Sequence, residues 1–575
     1  AGKGGADAKD DLLAATEDLL ALRREALLAN PLLDFDRILF IRRSESARKL
    51  GLPQNWQANP SISKNGYDNE IAVLKTADPA GPTETLYRPE KGEFVGDVEL
   101  HWDADRLLFS MPGTHSRWQV WEIGTDGKGL RQVNPGEHAD VDNYDACYLP
   151  DGRVIYCSTV GFHGIPCVGG GNEVGNLCIM NADGTGRRRL TFDQDQSWCP
   201  TVLHTGRVMY TRWEYSDTPH YFSRLLFEMN PDGSSQFELY GSNSYWPNSM
   251  FYARPMPGHP TKIVTIISGH HGVPRMGELI ILDPAKGKHE ADGVVQRIPG
   301  YGEKVEPVIQ DGLVNGSWPK FLHPWPLSEK YVLASCQMDN KSPWALYLVD
   351  IFDNMVPLRS EPGYALLEPV PLAKRPTPPV VPDRVDPTRK DAIVYMANVY
   401  KGEGLKGVPK GTVKALRVFT DHYGYRGMGG HIQIGIDGPW DVKRILGTVP
   451  VNPDGSAMFR VPANRPIGLE PLDAEGNALQ IMRSWYTAMP GEVASCVGCH
   501  ERQAERPPPR NTIATGKPPS EIEPWYGPSR GFSFKREVQP VLDKYCVGCH
   551  NGAERADGKP IPDFRRGEER PKVRS

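Results

Sequence analysis

A basic residue opening a short β-rich run occurs six times: "RILFIRR" at 37, "RLLFSMP" at 106, "RVIYCST" at 153, "RVMYTRW" at 207, "KIVTIIS" at 262 and "KYVLASC" at 330. A second apolar run follows each one: "IAVLKT" at 71, "WQVWEI" at 118, "NLCIMN" at 176, "LLFEMN" at 225, "ELIILD" at 278 and "ALYLVD" at 345. Several second runs lead into Asp-Gly turns, "TDGKG" at 125, "ADGTG" at 182 and "PDGSS" at 231, which supply the positive φ that tight hairpins need. The first runs are 69, 47, 54, 55 and 68 residues apart, which suits four-stranded units with loop insertions. One such unit cannot bury both of its faces, so six copies predict a closed ring: a six-bladed β-propeller over residues 36–370. A series of β-sandwiches would not explain the recurring strand–loop–strand–turn unit. Gly 59 and Pro 53 make up about a fifth of the 575 residues, against ~12% ordinarily, as a chain of many short strands and turns requires.

The fold class expected is therefore mainly β, with smaller parts around the propeller. Residues 1–35 read as an N-terminal helix with Leu12, Leu13, Leu19, Leu20 and Leu22 along one face and Pro31 as its stop, a pattern that predicts a packing helix. Residues 371–391 are a Pro-rich, semi-rigid linker. Residues 392–490 alternate apolar and polar runs around the hairpin signal "VNPDGSAMFRVP" and predict a small β-sandwich-like domain. A net charge of -5 argues against nucleic acid as the main partner. No apolar run approaches the ~18 residues that span a bilayer, so no transmembrane segment is expected.

The chemistry lies further on. Cys496-Val497-Gly498-Cys499-His500 returns letter for letter at Cys546-Val547-Gly548-Cys549-His550. Cys-x-x-Cys-His is the attachment signature of c-type haem. Two thiols three apart add to the two vinyl groups of one porphyrin, and the adjacent His lies under the iron as axial ligand. The prediction is two covalently attached haems c: one on Cys496 and Cys499 with His500, one on Cys546 and Cys549 with His550. Residues 491–530 form the first haem segment, and 531–575 begin a second, mostly helical or looped cytochrome c domain. Zinc is the rival reading of two Cys-x-x-Cys pairs. Zinc ribbons separate their pairs by ~15–20 residues, whereas 46 residues lie between Cys499 and Cys546, and zinc does not require the His.

Distal ligands for the first iron are sought at Met428, His431, Tyr486 and Met489, with His422 and Met482 beside them. After His550 there is neither His nor Met, so the second cytochrome domain is expected to be truncated. Covalent haem attachment takes place outside the bacterial cytoplasm, so the protein is expected to be periplasmic or otherwise exported. "AGKGGADAKDD" at the start has no leader features, so a leader is expected to have been processed away or to lie outside this sequence. Cys147, Cys157, Cys167, Cys178, Cys199 and Cys336 read as small buried hydrophobes. His163, His220, His270, His271 and His323 are the propeller's candidate site residues. On a strand, the adjacent His270 and His271 would face opposite ways and could not share one ion.

The propeller pattern resembles the blades of TolB-like propellers. The ordered set "WEIGTDGKGLRQV", "YLPDGRVIYCST", "VKALRV", "ALQIMRSWYTAMPGEVASCVGCHE" and "FKREVQPVLDKYCVGCH" resembles the hydrazine synthase alpha subunit-related family over roughly residues 37–550. In the synthase, the first haem iron takes a Tyr four residues beyond the motif His, and that His turns to zinc together with a propeller Cys. Here the fourth residue past His500 is Ala504, and "LLFEMNPDG", at the place of the zinc Cys, has no Cys. The resemblance thus implies a divergent member with ordinary His500 ligation, working with redox partner proteins in a multi-subunit complex. The leading reading is an exported dihaem c-type cytochrome in electron transfer. The alternatives are a haem-dependent oxidoreductase acting on small nitrogen compounds at the first haem, and a propeller that serves as a binding scaffold.

Overall fold

The computed structural model describes residues 4–76, 81–215, 223–241, 244–427, 442–499, 511–524, 527, 533–565 and 567. Six four-stranded antiparallel sheets follow one another along the first part of the chain. The six basic-headed runs are their second strands, such as Arg106–Pro112 and Val154–Ser158, and the runs downstream are their third, such as Trp118–Gly124 and Asn176–Met180. These middle strands are covered on both faces; every residue of Val154–Ser158 and Asn176–Met180 is buried. That is why they read as continuous apolar runs rather than alternating ones. The outer strands are short, only Arg131–Gln132 and Arg188–Arg189 in the second and third sheets. The first sheet takes its inner strand, Tyr364–Pro371, from the far end of the propeller, where it pairs antiparallel with Arg37–Ser44. The last propeller strand therefore joins the first. One parallel bridge, Arg224 to Ser249, links the fourth and fifth sheets.

Every inner strand carries the same irregularity. In each of the six sheets the pairing of inner to second strand slips by one residue. The slip sits at Glu368, Asp97, Asp145, Cys199, Tyr252 and His323, whose φ values are 53°, 55°, 49°, 51°, 55° and 48°. A β-bulge of this kind turns one side chain away from the sheet's regular alternation. Holding a non-Gly residue at positive φ costs about 1 kcal/mol or more, so the side chains are retained against a backbone preference for Gly. Pro200, Pro324 and Pro369 follow three of the bulged residues, at the unpaired position where a missing N–H costs no ladder bond.

The N-terminal helix forms over Gly4–Leu28, but its leucine face is not packed. Leu12, Leu13, Leu19, Leu20 and Leu22 are all exposed, which corrects the expectation of a packing helix. Contact with the propeller comes at the helix's C-terminal end, where Leu27 and Leu28 reach the core and the Arg24 guanidinium donates to the Pro357 carbonyl. The earlier leucines lie beyond the sheet edge. After the propeller, the linker is bound to its surface: Arg384 and Val385 N–H groups both donate to Asp232, and Arg153 pairs with Asp383 at 2.7 Å.

The next unit is a sandwich of two sheets. Asp391–Met396 is flanked by Ala457–Pro462, antiparallel, and Val493–Cys496, parallel. Opposite lie Val442–Pro450, Ala415–His422, Pro466–Leu472 and Tyr486–Thr487. Val394, Val418, Phe459 and Ile467 fill the space between. The first pentapeptide therefore starts inside this sandwich. Beyond it, a π-turn at Phe534–Val538 runs into the helix Gln539–Tyr545, which delivers the second. Among the described residues, no helix is long and apolar enough to cross a membrane, and no disulfide joins any two of the ten cysteines.

Candidate functional site

Cys496 ends an edge strand, in register with Met396. The chain then folds around the 397–404 loop: Ala397 N–H donates to the Cys496 carbonyl at 2.9 Å, Asn398 N–H to Val497 at 3.0 Å, and Gly404 N–H to Cys499 at 3.3 Å. Gly498 lies hard against that loop. A Cβ there would sit 2.4 Å from the Lys401 carbonyl oxygen and 2.7 Å from that of Asn398. Cys496 and Cys499 are half-buried against the sandwich core.

Of the distal candidates among the described residues, Tyr486 is the one placed beside this motif. Its hydroxyl is shielded from solvent and has no hydrogen-bond partner among the described residues. Burial first, and the neighbouring Cys496 thiol second, hold its phenol well above the ordinary range. Met489 is fully buried and points elsewhere: its methyl lies 2.7 Å from where a Cβ on Gly233 of the propeller would be. Met482 joins the sandwich through its N–H to Leu469, and His422 is exposed at a strand end. His500, Ala504, Met428, His431 and His220 lie outside the described residues.

The segment around Tyr486 is pinned to the propeller by charges that periodicity could not reveal. Trp485 Nε1–H donates to Asp193 at 2.9 Å, and Arg212 donates to the Trp485 carbonyl at 3.0 Å. Arg212 also reaches Asp193 at 3.4 Å and Glu214 at 3.0 Å, and lies 4.4 Å over the Trp485 ring. Arg212 and Asp193 are completely buried. A buried pair survives only when its hydrogen bonds are met, and here Trp485 meets part of that need from the sandwich. In the sequence, Arg212 is one basic letter within an apolar strand, with nothing to mark its partner.

The second pentapeptide closes a tight turn off the helix. Cys546 N–H donates to Leu542 at 2.8 Å, and His550 N–H returns to Cys546 at 2.8 Å. Cys546, Cys549 and His550 thus share one turn. The His550 ring stacks on Phe564 at 4.4 Å with 8° between planes, and its Nδ1 is shielded without a partner among the described residues. Phe534, Val541 and Tyr545, spaced seven and four apart, are exposed by 58%, 52% and 71%. The spacing makes one uncovered apolar stripe leading to Cys546. Gly548 has nothing within 4 Å of its would-be Cβ.

The propeller histidines separate. His163 packs edge-on against Tyr423 of the sandwich at 5.5 Å, and burial, then Arg189, lowers its pKa to about 4. His270 and His271 lie past the end of Ile263–Ser268, not on it. Their rings are 4.2 Å apart, and their ligand atoms and that of Asp311 all lie within 4.8 Å of one another. This corrects the strand-based expectation that they face apart. Arg224 donates to His270 Nδ1 at 2.6 Å, a cation where a metal would need a lone pair. His323 is one of the six bulged residues.

Residues 411–501 match the family model of the hydrazine synthase alpha subunit middle domain. The match spans most of the sandwich and the first pentapeptide. The structure of the chain resembles that of Kuenenia stuttgartiensis hydrazine synthase with a TM-score of 0.72, covering 92% of this chain and 84% of that one at 15% identity. TolB from Acinetobacter baumannii is more distant, with a TM-score of 0.36 over 58% of this chain and 66% of that one at 12% identity. No protein of curated function is matched by the sequence. The sandwich and the propeller thus share an overall fold with the synthase at an identity that leaves the site chemistry to this chain's own residues.

Proposed function

We propose that this chain is an exported dihaem c-type cytochrome, related to the hydrazine synthase alpha subunit, that passes electrons between redox partner proteins. The observation that carries the reading is the pair of identical Cys-x-x-Cys-His pentapeptides on two separate scaffolds, one closing a sandwich edge and one closing a helix. A haem c at each would supply an iron that exchanges one electron at a potential set by its axial ligands and surroundings. Cys496 and Cys499 would hold the first and Cys546 and Cys549 the second, with His500 and His550 as axial ligands. The residues suit such a group. The uncovered Phe534, Val541 and Tyr545 stripe offers apolar surface beside the second pair of thiols. The unpartnered Tyr486 hydroxyl offers a hydrogen bond or ligand beside the first. Phe564 fixes the His550 ring in one plane. An alpha-type middle domain implies companion subunits, which would serve as electron donor or acceptor. Export follows from where haem c is attached.

The test is a pyridine haemochrome assay joined to peptide mass analysis of the exported protein. Two haems c per chain, on Cys496/Cys499 and Cys546/Cys549, are expected; free thiols at both pairs would end the proposal.

A second reading is a redox enzyme acting on small nitrogen compounds at the first haem, as the name of the synthase suggests. The observation favouring it is Tyr486, a phenol beside Cys496 where the family's downstream Tyr is replaced by Ala504. Electron paramagnetic resonance separates the two. A high-spin first haem whose signal changes in Tyr486→Phe supports the enzyme, and two low-spin six-coordinate haems support the carrier.

A further inference from the structure

We propose that the cleft between the second and third propeller sheets binds a small organic acid, its carboxylate held by Tyr156, Arg187 and Arg189. Cys178 faces Tyr156 on one neighbouring strand and Arg189 on the other, and directly opposed residues share a face of the sheet. Phenol, thiol and guanidinium thus stand in a row on one face of the third sheet. Two residues before Arg189, Arg187 reaches the same cleft. The opposite wall comes from residues 134–143, the connection between the second sheet and the third. Together they bound about 340 Å³, within the range of small-molecule sites.

Tyr156 carries the argument. It is 4% exposed, and the exposed part opens on this cleft. Its hydroxyl takes no hydrogen bond among the described residues, although buried phenols ordinarily find a partner. Burial holds the phenol above its ordinary range, so at neutral pH it keeps a proton to donate. Beside it, Arg189 Nη2 donates to Asn176 Oδ1 at 2.7 Å and Nε to the Thr191 carbonyl at 3.3 Å. These bonds fix a guanidinium that lies 4.6 Å over the Phe192 ring, and they leave Nη1 unbonded among the described residues.

The charge points independently to an anion. Among the described residues no carboxylate pairs with Arg189. Asp193, which acts on it through space, pairs with Arg212 at 3.4 Å. Arg187 gives Nη2 to Glu137 at 2.6 Å, so that acid is already neutralised. A largely buried cation without a contact anion is unfavourable. Val141, Val160 and Cys178 line the same space. Guanidinium forks match the plane of a carboxylate, and the apolar side accepts a hydrocarbon body. That pairing favours an organic acid over inorganic phosphate, which would leave the apolar wall uncovered.

The experiment titrates the full-length protein separately with benzoate, butyrate and inorganic phosphate by calorimetry. One benzoate or butyrate per chain is expected, with phosphate weaker than both. Tyr156→Phe removes a hydroxyl that holds nothing in the fold. That variant should melt as the parent does and bind both acids about tenfold more weakly, as loss of a hydrogen bond to a charge predicts. Arg189→Gln should weaken binding at least as much. Lys341→Gln, in the open cleft between the sixth and first sheets, should leave it unchanged. In a crystal soaked with 4-bromobenzoate, the anomalous bromine peak should lie between Tyr156 and Arg189. No saturable binding of either acid at millimolar concentration, phosphate bound more tightly than both, affinity unchanged in Tyr156→Phe and Arg189→Gln, or a bromine peak only elsewhere would overturn the proposal.

Discussion

Identical pentapeptides should respond unequally to the same substitution. Gly498→Ala adds a methyl 2.4 Å from the Lys401 carbonyl oxygen and 2.7 Å from that of Asn398. Non-bonded heavy atoms settle near roughly 3.5 Å, so the 397–404 loop must retreat by about 1 Å. Both obstacles are backbone of the loop whose N–H groups donate the bonds that hold the Cys496, Val497 and Cys499 carbonyls. Overpacking of this kind costs about 1–3 kcal/mol. For a sandwich of this size, about 2 kcal/mol lowers the melting midpoint by roughly 10 °C. Gly548→Ala meets nothing within 4 Å and should shift the midpoint by less than about 2 °C, as surface changes do. Differential scanning calorimetry of both variants gives the midpoints, and peptide mass analysis gives haem loading at each pair of thiols. Reduced loading is expected at Cys496 and Cys499 in Gly498→Ala alone. Equal effects of the two substitutions would refute the claim that surroundings, rather than the shared letters, govern the first pentapeptide.

Trp485→Phe keeps the ring over Arg212 but removes the N–H that Asp193 accepts; a loss of about 1–2 kcal/mol is expected in denaturant melts. Tyr486→Phe removes a shielded, unpartnered hydroxyl, so the protein without haem should be as stable as before or slightly more so; a clear loss of stability would mean the hydroxyl has a partner. Burial first and Asp97 second push Glu368 and Asp145 up to about 7, while unfolded carboxylates titrate near ~4. Between those values the folded state keeps protons that the unfolded state has lost, so stability should fall as pH rises from about 4 to 7 and level off above. Glu368→Gln should flatten that slope in melts across pH 5–7, and an unchanged slope would contradict the assignment.

Much of this molecule was legible from letters alone. The middle strands of each sheet are buried on both faces, so they appear as unbroken apolar runs under a basic residue. The pentapeptides are legible because haem attachment needs both thiols and the His within one turn, which leaves no freedom of spacing. The N-terminal leucines were legible as a helix, yet whether a helix face is covered depends on what stands next to it. Here the propeller edge ends at Leu27 and Leu28.

What only the tertiary structure decided is convergence. Asp97, Asp145, Cys199, Tyr252, His323 and Glu368 are of five residue types and are spread along the chain, so no pattern joins them. They meet because the same bulge recurs where six inner strands line one cavity. Arg212 finds Asp193 and Trp485 for the same reason, across a domain boundary. Local sequence determines which segments become strands and which residues can carry a cofactor, because those depend on near neighbours. The wall of a tunnel and the partner of a buried charge depend on distant segments brought together, and that is settled only when the ring is closed and the sandwich docks against it.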